Sequence, residues 1–379
     1  MRRSKLVINC APTITPILKK EVESLGYENI RIERSGVTLE GGWKEVIHLN
    51  IHLRTASRVL WQIKSFEAKT PDRLYQEAKK IPWHKLIPKN GYLSIQSFVK
   101  NDSIRDTRFA NLKLKDAVVD QMLEQNGIRP NSGKECDQTV LFLFWHGSLV
   151  HIYFDTSGQT IAKHNYRKIP FKAPIAESLA SACLYSAGWS DAKGSFVNPM
   201  CGSGTLAIEA ALIAAGRPPG LLRDNYGFMH IQGYEEANWK NALSKIEAKD
   251  EIDSPIIATD IDGKAIESAQ ENAKMAGVEK MIEFDQVPYE KTSVPNGPGI
   301  VMLNPEYGER LGNEKELGEV YAGIGNFFKK FCQAKTGYVF TGNSKLAKKI
   351  GLKAKSRTTF NHAKIDCKLL AYDLYAGSR

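Results

Sequence analysis

From about residue 166 onward, short apolar runs alternate with Ala-, Glu- and Lys-rich stretches, the pattern of buried strands separated by helices. Gly194-Ser-Phe-Val197 leads into the helical composition of Leu206 to Ala215, and Pro255 to Thr259 leads into a helix over Gly263 to Ala276. Met281 to Phe284, Ile300 to Asn304, Gly337 to Thr341 and Lys368 to Tyr375 read as further strands. This rhythm predicts an α/β domain with a doubly wound sheet over 166–379. The front of the chain lacks the rhythm. Lys5 to Asn9, a helix from Thr15 to Leu25 and a hairpin from Ile30 to Glu40 predict a small α+β unit over 1–65. A helix from Pro71 to Lys80 and strands at Gly91 to Phe98, Gln138 to Trp145 and Leu149 to Phe154 predict a second over 66–157, with a helix around Lys115 to Gln125. Gly216 to Phe228 is Pro/Gly-rich and too irregular for an element, so it reads as a long connection at the edge of the active site.

Two loops carry candidate chemistry. Asn198-Pro-Met-Cys-Gly-Ser-Gly-Thr205 sits at a strand-to-helix turn, where Gly202 and Gly204 let the backbone approach a ligand and the helix start offers free N–H groups. Ala207 stands where a dinucleotide loop would have its third glycine. The next strand-end acid, Asp260, comes 56 residues after Gly204, against roughly 20 in the dinucleotide fingerprint. Both details disfavour a nicotinamide cofactor. The second loop, Asn304-Pro305-Glu306-Tyr307, follows an apolar strand. An exocyclic amine on a purine is a poor nucleophile. Acceptors on its hydrogens, the Asn304 side-chain carbonyl and the Pro305 backbone carbonyl, would aim its lone pair at a methyl group. Tyr307 would supply a face for an extruded base. Together the loops imply methyl transfer to an exocyclic amine; the alternative is a strand-ending Asn-Pro turn with Tyr307 packed locally.

The 379 residues, 42% hydrophobic, suffice for two or three domains. The apolar run after Met1-Arg-Arg-Ser-Lys5 is broken by Asn9 and Pro12, and no stretch approaches a membrane span, so a cytoplasmic location is expected. Six scattered cysteines and the absence of clustered histidines argue against disulfides and metal. Cys201 reads as a small residue in a tight cofactor turn rather than a nucleophile, because pyrimidine C5 chemistry would place the thiol in the second loop. The net charge of +10 is uneven: residues 1–165 hold 25 Lys and Arg against 17 Asp and Glu, leaving 27 against 25 beyond. The front half is therefore the expected partner of nucleic acid. Arg105, Arg108, Lys113 and Lys115 interleave with Phe109, which either faces RNA or packs in a core.

Further motifs carry a resemblance. Phe154-Asp-Thr-Ser-Gly158 with Lys163-His-Asn-Tyr-Arg167, Ala173 to Ala180, and Lys115 to Asp120 resemble segments of the THUMP-containing class I methyltransferases that modify guanosine N2 in bacterial 23S ribosomal RNA. The likeness covers almost the whole chain. It implies a Rossmann-like class I methyltransferase domain preceded by a ferredoxin-like module and a THUMP RNA-binding region. It also implies adenosylmethionine as cofactor, held by Cys201, Gly202, Gly204, Thr205, Asp260 and Asp285, with Asn304, Pro305 and Tyr307 on the guanine. RNA, as 23S ribosomal RNA or a ribosome precursor, is the implied partner. Two positions depart from the family pattern: Asn198 replaces an Asp, and Glu306 replaces the second proline of Asn-Pro-Pro-Tyr. Glu306 either intrudes on the pocket or points outward and pairs loosely with Arg310. A transfer-RNA methyltransferase and a non-catalytic RNA-binding or assembly factor are the competing readings.

Overall fold

The computed structural model describes residues 3–169, 171, 174–307, 314–362 and 365–375. The chain divides into two compact units, Met1–Ile161 with Arg223–Ile246, and Ala162–Leu222 with Glu247–Arg379.

The first unit is built on strands β1 (Ser4–Asn9), β2 (Arg31–Glu33), β3 (Gly36–Gly41), β4 (Arg58–Glu67), β5 (Tyr92–Lys100), β6 (Asn131–Gly133), β7 (Thr139–His146) and β8 (Leu149–Asp155). They form one sheet in the order β2-β3-β1-β4-β8-β7-β5-β6. The two front modules therefore share a sheet, joined where β4 runs antiparallel to β8 from Leu60↔Asp155 to Glu67↔Leu149. Helices α1 (Thr15–Ser24), α2 (Trp43–His52), α3 (Pro71–Lys79) and α4 (Thr107–Asn126) accompany it. α4 begins well before Lys115, because the Asp106 side chain caps it by accepting from the Arg108 N–H at 2.9 Å. Phe109 consequently lies on an exposed helix face, with the Lys113 ammonium 5.7 Å from its ring, and is not a core residue.

The motif Phe154 to Gly158 is a folding device. Asp155 Oδ1 accepts from the N–H groups of Ser157 at 3.1 Å and Gly158 at 3.2 Å, and Arg58 pairs with its other oxygen. Gly158 has φ +71, and a Cβ there would meet the Cys136 carbonyl at 2.9 Å.

The second unit holds α5 (Glu177–Ser186), β9 (Ser195–Pro199) and α6 (Thr205–Ala214); the chain then passes through α7 (Glu236–Leu243), which belongs to the first unit, and returns with β10 (Ile256–Thr259), α8 (Gly263–Ala276) and β11 (Glu283–Asp285). It continues with β12 (Gly299–Leu303), α9 (Glu314–Phe331), β13 (Lys335–Thr341), α10 (Ser344–Lys349), β14 (Ser356–His362) and β15 (Ile365–Leu374). The sheet order is β11-β10-β9-β12-β13-β15-β14. The first five strands are parallel, and β15 is antiparallel to both its neighbours. Val197, Val301, Leu303, Tyr321, Ile324, Phe327 and Phe328 meet in the core under α9.

The Pro/Gly-rich connection after α6 is divided between the two units at Arg223. Arg223–Ile246 joins the first unit. Tyr226 and Phe228 are buried there, the Phe228 N–H donates to the Thr156 carbonyl at 2.9 Å, and the Arg223 guanidinium reaches the Ser157 and Gln159 carbonyls. Local composition marks such a segment as irregular but carries no signal of which core its aromatics will enter.

Candidate active site

β9, β10 and β12 are adjacent and parallel, so the loops after them emerge at one edge of the sheet, the edge where open α/β sheets bind ligands. The turn after β9 passes through Met200 and Gly202 at φ +61 and +55 and Gly204 at φ +79, which is also the N-cap of α6. The Cys201 N–H donates to the Thr259 carbonyl at 2.9 Å, tying the turn to β10. The two glycines have different work. A Cβ on Gly202 would meet nothing within 4 Å, leaving the backbone open to a ligand, whereas one on Gly204 would come 2.9 Å from the Ala269 Cβ, so Gly204 permits α6 to pack against α8. The Cys201 thiol is buried and its titration is pushed upward by that burial, in keeping with a small packing residue.

Asp260 closes the turn. Its Oδ2 accepts from the Gly202 N–H at 2.9 Å and its Oδ1 from the Asp262 N–H at 3.0 Å. Its own N–H reaches the Asp285 carbonyl at 3.4 Å, so β11 delivers Asp285, with an exposed side chain, beside it. Ile261, next to Asp260, is 71% exposed. An apolar side chain left open beside a strand-end acid is a candidate site feature that periodicity did not reveal.

In the loop after β12, Asn304 Oδ1 is buried and has no hydrogen-bond partner. A buried amide oxygen without a donor is costly unless a ligand supplies one. Pro305 is buried and Glu306 is exposed, its backbone carbonyl accepting from the Tyr321 hydroxyl at 3.4 Å. Glu306 is thus open to solvent, and Arg310 lies outside the described residues. Tyr307 is half-buried. Its hydroxyl lies 3.0 Å from His362 Nδ1 and accepts from the Cys367 thiol at 3.6 Å, and its ring stands edge-on to Phe340. Burial raises the tyrosine's titration and lowers that of His362.

Asn198 is 1% exposed, and its Nδ2 donates to the Met302 carbonyl at 2.8 Å while its Oδ1 has no partner. A carboxylate could not donate to that carbonyl, so asparagine here adds a side-chain tie between β9 and β12 beyond their last paired residues, Val197 and Val301. Thr205 is similarly committed: its Oγ1 accepts from the Arg167 guanidinium at 2.9 Å, and the same nitrogen lies 3.5 Å from Glu177. Arg167, a motif residue with no role assigned from sequence, thus braces the start of α6. Beside it His164 Nδ1 and the Ser181 hydroxyl each lie 2.7 Å from the fully buried Glu209. A groove of about 450 Å³ lined by Lys193, Lys249 and Asp253 sits at the opposite, amino-terminal end of β9 and β10, away from these loops.

A sheet in this order, parallel through its first five strands, with a glycine turn, a strand-end acid and an Asn-Pro-x-Tyr loop on its carboxyl edge, is the architecture of class I methyltransferases. The model of the RMKL-like methyltransferase domain matches residues 164–371, that of the RlmL ferredoxin-like domain residues 5–60, and that of the THUMP domain residues 68–154. The chain belongs to the THUMP-containing, RMKL-like methyltransferase family. It is 35% identical over 372 residues to the ribosomal RNA large subunit methyltransferase K/L of Syntrophotalea carbinolica, covering 95% of this chain and 52% of that protein. The protein of the same name from Methylococcus capsulatus is 32% identical, with 95% and 50% covered. The chain spans about half the length of these relatives. A Synechocystis sp. protein, provisionally named an RNA methyltransferase, is 30% identical with 95% and 94% covered. Among solved structures, a possible methylase of Clostridium difficile 630 is 28% identical with a TM-score of 0.86 over the full length of both chains. SMU.472, crystallised with SAH, shares the fold with a TM-score of 0.89 at 24% identity, each chain covered in full.

Proposed function

We propose that this chain is an adenosylmethionine-dependent RNA methyltransferase that forms N2-methylguanosine in 23S ribosomal RNA, acting in the cytoplasm. The observation that carries the reading is the unpartnered Asn304 oxygen at the carboxyl end of β12, on the same sheet edge as Gly202 and Asp260. The cofactor would supply an electrophilic methyl group on a sulfonium. Each Asp260 oxygen accepts one backbone N–H and keeps a lone pair for a ribose hydroxyl. The open backbone at Gly202 takes the methionine end, Ile261 offers an apolar surface to the adenine, and Asp285 an acceptor for its amine. Asn304 Oδ1 and the Pro305 carbonyl accept from the guanine amine and aim its lone pair, and Tyr307, held by His362, stacks the base. Catalysis on this reading is mainly positioning. The solvent-exposed Glu306 and the Asn198 bond to the Met302 carbonyl are both compatible with a working site.

RNA is assigned to the first unit on the THUMP match and on the charge excess of residues 1–165. The relatives named for large-subunit ribosomal RNA favour that RNA over transfer RNA. The test is incubation of the purified chain with labelled methyl donor and, in separate reactions, unmodified 23S ribosomal RNA and unmodified transfer RNA, followed by digestion to nucleosides. Label in N2-methylguanosine is expected; label in N6-methyladenosine, or in transfer RNA alone, would overturn the assignment.

A further inference from the structure

The sheet of the first unit carries an aromatic row that methyl transfer does not use. Strand register sets Phe98 of β5 beside Phe144 of β7, and Phe144 beside His151 of β8. The neighbouring rung is Gln96, Phe142 and Tyr153. The Phe98 and Phe144 rings are 5.4 Å apart and 15° from parallel, and contacts of 5.9 Å continue the row from Phe144 to His151 and from His151 to Tyr153. The alternate residues Leu143, Trp145, Val150 and Ile152 are fully buried on the opposite face, and along the row exposure rises from buried Tyr153 through half-buried His151 and Phe144 to exposed Phe98.

Cross-strand aromatic pairs can serve the sheet alone. Here the row ends in a ring with an uncovered side: β6 pairs only with Tyr92 to Ser94, so β5 is an edge at Phe98, which is 49% exposed. His151 Nδ1 is buried and makes no hydrogen bond. Exposed Lys100 and His146, paired at the end of the face, add cationic and donor groups, and the row belongs to the stretch that holds 25 Lys and Arg against 17 Asp and Glu. The carboxylates nearby are Glu67 at the rim and Glu33, which Lys5 holds at 3.5 Å.

We propose that this row is a stacking platform for the unpaired bases of a single-stranded RNA segment, additional to the pocket at Tyr307 that takes one base. The proposal rests on the reading of RNA as substrate. Every base has a π-face, so the platform would be tolerant of sequence and would discriminate against duplex, whose bases are already stacked.

The experiment uses the full chain, a short fluorescein-labelled oligouridylate, a hairpin duplex and adenosylhomocysteine, with binding read by anisotropy and calorimetry. Phe98→Ala is expected to weaken the oligouridylate by about tenfold. Phe98→Tyr should stay close to the parent, and Phe98→Leu, apolar but without a ring, should resemble Ala. Affinity for duplex and for adenosylhomocysteine should be unchanged, which also verifies the fold. Equal oligouridylate binding by Phe98→Ala and the parent, or full affinity in Phe98→Leu, would overturn the platform while leaving the RNA reading intact. A parent that held adenosylhomocysteine yet bound neither RNA would overturn both. Loss of self-association in Phe98→Ala with RNA binding untouched would assign the face to a second copy of the chain instead.

Discussion

The backbone N–H of Gly202 donates to Oδ2 of Asp260 at 2.9 Å, binding the glycine turn after β9 to the acid after β10. Asp260 is therefore a brace for the loop as well as the proposed acceptor of ribose hydroxyls. Asp260→Ala should weaken adenosylmethionine by well over tenfold, since hydrogen bonds to a charged group are each worth about 1.5–3 kcal/mol. Asp260→Asn should also weaken it, because one amide end would turn N–H groups toward an N–H. Calorimetry decides; an unchanged affinity in Asp260→Ala would remove the assignment.

The loop after β12 makes a second, separable prediction. Asn304→Ala and Tyr307→Ala should lower single-turnover methylation about tenfold or more at saturating cofactor without altering cofactor affinity, because they touch only the base. Glu306→Pro should stay within a few-fold of the parent, since Glu306 is exposed. Full activity in Asn304→Ala would refute the amine-orienting role.

The excursion at Arg223–Ile246 bears on any attempt to separate the two activities. A fragment beginning at Ala162 would carry Tyr226 and Phe228, which are 1% and 0% exposed in the full chain, without the partners that bury them. It should aggregate, as exposed apolar patches do. Replacing 223–246 by a Gly/Ser linker should give a monodisperse fragment that keeps cofactor affinity and loses RNA, measured by size-exclusion chromatography and calorimetry. RNA binding equal to that of the whole chain would contradict the division of labour.

Asp155 predicts a pH dependence. Its fully buried carboxyl is pushed up to about 6 by desolvation, which outweighs the opposing pull of Arg58 and of the Ser157 and Gly158 N–H groups. In the unfolded chain it titrates at about 3.9. Between those values the folded state keeps a proton that the unfolded state has lost, so this group's contribution to stability falls as pH rises from about 4 to about 6 and is level above. Asp155→Asn should remove that component. The check is the difference in urea midpoint between parent and variant at pH values below and above the window; the same difference at both would exclude it.

The α/β rhythm after residue 166, the turn at 198–205, Asp260 and the Asn304 to Tyr307 loop were legible because each depends on neighbours in sequence: an apolar run, a glycine pair, a strand-end acid. α9 carries a similar signal, with Tyr321, Ile324 and Phe328 on one stripe, diluted by the Gly and Lys positions between them. Arg167 and Ile261 were visible as residues but not as site components, since a guanidinium becomes a brace only when Thr205 lies 2.9 Å away.

By itself, the sequence determined the order of elements, the two loops on one sheet edge and the charge asymmetry, because local periodicity and turn chemistry are short-range. Only the tertiary structure decided that the front modules share one sheet, that Arg223–Ile246 belongs with them, that Gly204 serves helix packing while Gly202 stays open, and that Tyr307 is held by His362 and Cys367. Those outcomes depend on contacts between residues dozens of positions apart, chosen by burial and steric fit across the whole core, for which no spacing along the chain is a sufficient cause.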